Sequence, residues 1–157
     1  MRTRSLFLVA ALLSMAGCAA TARLYPVQGP LSALTPQPVF PGKISGLVNS
    51  GSVSFTLTGG EACKGQWTRV VPMKTSTGAT ISDAPASNGM PIVWDAVYGS
   101  GYYVSHVLGS SLYARAAITG SKGTILDVEF YKPGTMHLFG VAKDSKGNVY
   151  KMAFPFN

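Results

Sequence analysis

Residues 52–57, Ser-Val-Ser-Phe-Thr-Leu, alternate without a break. Val53, Phe55 and Leu57 fall on one side of an extended chain and Ser52, Ser54 and Thr56 on the other, which dictates a strand with one dry and one wet face. Asn49-Ser50-Gly51 and Thr58-Gly59-Gly60 bracket the run and supply turns. The same grammar continues along the chain. Residues 44–48 pair with 52–57 as a hairpin, and 61–71 puts Cys63, Gly65 and Trp67 opposite Lys64, Gln66 and Thr68. Runs at 102–108 and 112–119 flank Gly109-Ser110-Ser111, and 124–131 opposes Leu126, Val128 and Phe130 to Asp127 and Glu129. Runs at 136–143 and 149–154 flank a turn at Asp144-Ser145-Lys146-Gly147-Asn148. With 18 glycines and only 12% charged residues, the composition suits short strands joined by tight turns. The predicted fold is mainly β, an antiparallel sandwich or partly open barrel of seven or eight strands with one short helix.

That helix is predicted at 91–98, with Pro91 in its first turn and Gly99 just past its end. Trp94 and Tyr98 share one face of it, as do Val93 and Val97. Between Cys63 and Trp67, Gly65 is expected to leave room for the indole, with Cys63 beneath it. Residues 73–90 are polar and long for a structureless connection; they form a mobile loop, a functional one, or the host of an irregular strand around 80–82. Upstream, Pro26, Pro30, Pro36, Pro38 and Pro41 lie so densely that 18–42 is predicted to be a tether, its apolar 24–27 segment docking as an extended edge.

The amino end has a different design. Arg2 and Arg4 precede an unbroken apolar run at 6–13, and residues 14–17 are mostly small, the three-part pattern of an export signal. Eight apolar residues are far short of the roughly 20 that a helical span needs. Met15-Ala16-Gly17-Cys18 resembles a bacterial lipobox, with methionine where leucine is usual. That resemblance implies a signal peptide at 1–17, a diacylglyceryl group and fatty acyl chains such as palmitate on Cys18, and Cys18 as the first mature residue. Ala19, not being aspartate, implies sorting to the outer membrane of a Gram-negative host, facing the periplasm. Residues 60–67, Gly-Glu-Ala-Cys-Lys-Gly-Gln-Trp, together with 23–30, Arg-Leu-Tyr-Pro-Val-Gln-Gly-Pro, are similar to a group of uncharacterised bacterial lipoproteins, which implies no activity. The β domain proper is expected at 43–157.

Loss of residues 1–17 leaves 11 basic and 6 acidic residues, a net charge of +5. The cations are dispersed singly, so an anionic polymer or lipid surface is a permissible partner while nucleic acid has little support. With Cys18 carrying lipid, Cys63 has no partner in its own chain and is expected to be a buried thiol. His106 and His137 lie on separate runs without metal-ligand spacing, and Ser105 beside His106 points the opposite way on a strand. Asp127 and Glu129 read as a solvated strand face. No enzyme, metal or cofactor is therefore expected. The aromatic segment Trp94, Tyr98, Tyr102, Tyr103 and Tyr113, interleaved with Gly99, Gly101 and Gly109, is either core or a ligand-binding surface. Strand alternation predicts Tyr102 inward and Tyr103 exposed. The expected role is a non-catalytic, lipid-anchored envelope protein that binds or scaffolds a membrane-associated, protein or glycan partner. The alternatives are a small-ligand or glycan binder using residues 94–113, or an inhibitor of a cell-wall hydrolase.

Overall fold

The computed structural model describes residues 19–46, 48–70, 72–74, 80–82, 89–110, 112–134 and 137–155. The export signal, the lipobox and Cys18 lie outside the described residues, as does most of the polar stretch 73–90. Eight strands close into an antiparallel barrel: β1 (Ala19–Gln28), β2 (Phe40–Gly46), β3 (Ser50–Leu57), β4 (Glu61–Val70), β7 (Tyr113–Gly120), β8 (Ile125–Tyr131), β9 (Phe139–Asp144) and β10 (Val149–Ala153). Each pairs with the next in that order, and β10 returns to β1, so no edge is left open. Between β4 and β7 the chain makes an excursion. It carries a separate two-stranded ladder, β5 (Pro72–Lys74) with β6 (Thr80–Ser82), and the helix α1 (Met90–Tyr98). The sequence left sandwich and barrel open; the structure is the barrel, with a strand at 80–82.

The alternation explains the core. Val53, Phe55 and Leu57 of β3, Leu126, Val128 and Phe130 of β8, and Cys63 and Trp67 of β4 all point inward and are buried. An eight-stranded barrel is just wide enough for side chains to fill, and here they do. Phe55 lies over its cross-strand partner Gly42, where any Cβ would collide with the ring. Trp67 lies over its own partner, Gly51, and donates its indole N–H to the Ser45 carbonyl at 3.0 Å. The glycine that accommodates the indole is thus Gly51 and not Gly65, whose missing side chain is replaced by Ile118.

The expected tether is in part barrel wall. Residues 19–28 form β1, with Ala22 and Leu24 fully buried inside. Proline density misleads here because two of the prolines are taken up within the barrel wall. Pro26, opposite Tyr150, borders the register shift between β1 and β10, and Pro41, opposite Arg23 in the β1–β2 ladder, precedes the first β2–β3 pair, Gly42 with Phe55. Residues 30–33 make a short 3-10 turn across one barrel end.

Cys63 is a free, fully buried thiol inside the barrel. Burial, helped by the nearby Glu61 charge, pushes its pKa up and leaves it little thiolate. A water-soluble thiol reagent should leave Cys63 of the native protein unlabelled and modify it once denaturant is added, followed by mass; rapid native labelling would contradict the packed lumen.

Candidate functional site

A second core lies outside the barrel. Helix α1 starts after Gly89, which adopts a left-handed φ of 70°, has Pro91 in its first turn, and ends at Gly99 (φ 111°), whose N–H returns to the Asp95 carbonyl at 2.9 Å. The Asp95 carboxylate accepts the Tyr103 N–H at 3.0 Å, and backbone hydrogen bonds from Tyr103 and Gly101 hold its pKa below the usual range despite opposing burial. This bond ties the helix to the next turn of the chain. Residues Tyr103–Val107 form that turn, a single π turn closed by Leu108 N–H to the Tyr103 carbonyl at 2.9 Å. The strand predicted at 102–108 is not there.

All five aromatic residues singled out from the sequence meet in this layer, packed against the outer faces of β7, β8 and β9 with Tyr131, Val141 and Phe139. Trp94 is fully buried, Tyr113 and Tyr103 nearly so, and Tyr98 and Tyr102 are half-buried. Turn geometry thus reverses the expected order, since Tyr103 is the inward ring. Trp94, Tyr98 and Tyr102 are near-parallel, with Tyr98 and Tyr102 centroids 4.8 Å apart, and the exposed His106 stacks on Tyr102 at 4.4 Å. Their hydroxyls are engaged: Tyr98 donates to the Gly140 carbonyl at 3.1 Å, and Tyr102 and Tyr131 share a bond of 2.8 Å. Burial pushes the Tyr98 pKa up to about 12.

At the centre of the layer is Glu129, which alternation assigned to a solvated face. The residue does leave the barrel interior, but α1 covers it and only 1% of its surface remains exposed. Its carboxylate accepts the Trp94 indole N–H at 2.8 Å and Arg115 Nε at 2.8 Å, and the same Arg115 Nε reaches the Tyr113 hydroxyl at 3.1 Å. The Tyr113 phenol is raised by burial and by the adjoining Glu129 charge, so it stays protonated. Asp127, by contrast, is on the wet face and lies 3.9 Å from Lys143.

The barrel end formed by the β3–β4, β7–β8 and β9–β10 turns holds a polar cluster that sequence patterning did not single out. Glu61, 2% exposed, accepts the Lys122 and Thr124 N–H groups at 3.0 Å each and the Thr124 hydroxyl at 2.7 Å, with Lys146 Nζ at 3.6 Å. Asp144 accepts from the Lys146 and Asn148 backbones, the Asn148 amide and the Tyr150 hydroxyl. A cleft of about 310 Å³ opens above them, floored by Leu31, Leu57 and Tyr150. The available signal was an acid placed immediately after Gly59-Gly60 and facing inward in register with Cys63.

The Thr124 hydroxyl, then the Thr124 and Lys122 amides, outweigh burial and bring the Glu61 pKa down to about 2 from 4.5. A carboxylate with a lowered folded pKa stabilises the fold above its unfolded value and loses that contribution as pH falls through the folded one. The urea midpoint difference between wild type and Glu61→Gln should therefore be full above about pH 4.5 and shrink towards pH 2. A difference independent of pH would contradict the bonding described.

Neither cluster assembles a nucleophile with a base. Cys63 is enclosed in the barrel while His106 and His137 are on the surface, and Ser105 and His106 lie on the π turn. Among the described residues, no group of three His, Cys, Asp or Glu side chains is arranged to hold a metal ion. No family model, no curated protein and no solved structure matches the chain.

Proposed function

We propose that this chain is a non-catalytic, lipid-anchored cell-envelope protein that binds or scaffolds an envelope partner through its outer surface. In a Gram-negative cell its place is the outer membrane, facing the periplasm. The observation that carries this reading is how the fold spends its interior and its buried charges. The barrel lumen is filled by side chains such as Trp67, Phe130 and Tyr150, and the buried acids Glu61 and Glu129 are engaged by donors of the protein itself. Recognition then falls to the outside, supported by the lipobox resemblance at 15–18 and the moderately basic mature chain.

A second reading, a glycan or small-ligand binder at residues 94–113, draws support from the rim of the aromatic layer. There His106 is exposed on the half-buried Tyr102 ring, beside Val104 at 68% exposed. Photo-crosslinking in intact cells from position 106, with position 58 on the β3–β4 turn as control, tests both. Adducts with one envelope protein favour scaffolding, and adducts with glycan favour the second reading. Turnover of a wall or lipid substrate by the purified protein would refute the non-catalytic role.

A further inference from the structure

The two ends of the barrel differ in chemistry. The Glu61 end also has an apolar floor, Leu31, Leu57 and Tyr150, but it carries the charged groups Glu61, Asp144 and Lys146. The other is an apolar mouth, a cleft of about 210 Å³ rimmed by Ala20, Val48, Leu112 and Leu138 and floored by Trp67 and Phe130. That volume is below the 300–1,000 Å³ of ordinary ligand sites, so the mouth is a poor pocket. Its rim is nevertheless apolar and open: Val48 is 67% exposed.

The same mouth is where the chain begins its wall. β1 starts at Ala19, which pairs with Ser45, and Ala20 lines the cleft. Consecutive Cα atoms are about 3.8 Å apart, so Cys18 is one such step from the rim. A lipid on Cys18 therefore has no spacer between it and the barrel. Net charge agrees with this placement, because Lys122 and Lys146 at the Glu61 end are offset there by Glu61 and Asp144. Arg69, whose N–H bonds the Asn49 carbonyl beside Val48, and Lys132, whose N–H bonds the Leu112 carbonyl, stand at this end. The acids of the barrel strands are elsewhere: Glu61 and Asp144 at the opposite end, Asp127 beside Lys143, and Glu129 beneath α1.

We infer that the barrel sits mouth-down on the bilayer, with Val48, Leu112 and Leu138 in the interfacial layer and Lys132 against anionic headgroups. The inference rests on the anchored reading proposed above and adds an orientation to it. The Glu61 end then points away from the membrane, and the aromatic layer on β7–β9 faces sideways.

The test uses the full lipidated protein in phosphatidylethanolamine–phosphatidylglycerol vesicles containing a nitroxide-labelled lipid. An environment-sensitive fluorophore is placed at Val48→Cys or, at the opposite end, at Thr58→Cys; both native positions are exposed. The label at position 48 should shift to the blue and lose most of its emission to the nitroxide, while that at position 58 keeps its own. Val48→Asp combined with Leu138→Asp should return a label at Leu112→Cys to its aqueous emission while vesicle flotation persists. Flotation with equal quenching at positions 48 and 58, or with stronger quenching at 58, would overturn the orientation and leave the anchor standing. An unmodified Cys18 in the same preparation, read by mass, would overturn both.

Discussion

Replacing Trp94 with alanine should destabilise the protein by about 3–5 kcal/mol, the range for emptying a large buried aromatic site. Trp94 is fully buried between α1 and the barrel, and its ring contacts Tyr98, Tyr102 and Tyr131. Trp94→Phe separates packing from polarity: most of the ring stays, but Glu129 loses a donor, which should cost about 1.5–3 kcal/mol as a hydrogen bond to a charged group. Urea unfolding of both variants checks this. A loss below about 1 kcal/mol for Trp94→Ala would mean that the aromatic layer is an appendage and not a second core.

Glu129→Ala should be of similar severity for another reason. Removing one member of a buried ion pair leaves the other uncompensated, at a typical cost of about 3–5 kcal/mol, and here the indole N–H of Trp94 is orphaned as well. Because the Arg115 side chain is 21% exposed and keeps access to water, we expect the lower end, about 3 kcal/mol. Pairing Glu129→Leu with Arg115→Met should recover only part of the loss, since an apolar pair removes the uncompensated charge but leaves the Trp94 indole N–H without its acceptor. The Trp94 and Glu129 effects share one hydrogen bond and should be less than additive. Equal unfolding midpoints for Glu129→Ala and wild type would contradict the buried carboxylate.

Glu129 also shows why half of this site was legible and half was not. The two-residue period in 126–130 correctly sends Leu126, Val128 and Phe130 into the lumen and Asp127 and Glu129 out of it. Period alone does not say whether the outside is water or a helix. Asp127 meets solvent and Glu129 meets α1, a tertiary fact that a local pattern does not carry. The helix itself was readable from Pro91, the Trp94–Tyr98 spacing and Gly99. The π turn was obscured because Tyr102, Tyr103, Val104 and Val107 have the composition of a strand. Its signal was the four-residue spacing of Trp94, Tyr98, Tyr102 and His106, which continues the helical period across Gly99 and Gly101. In residues 19–28 the error ran the other way. Prolines that argue against a central strand are tolerated beside a register shift or where only one neighbouring strand is paired, and only the closed register reveals which positions those are.

The mass of the amino-terminal peptide of the protein purified from cells that export it tests the central claim, an anchored barrel with no spacer, most directly. The account predicts a peptide that begins at Cys18 and carries a diacylglyceryl group. A peptide beginning elsewhere, or an unmodified Cys18, would contradict it.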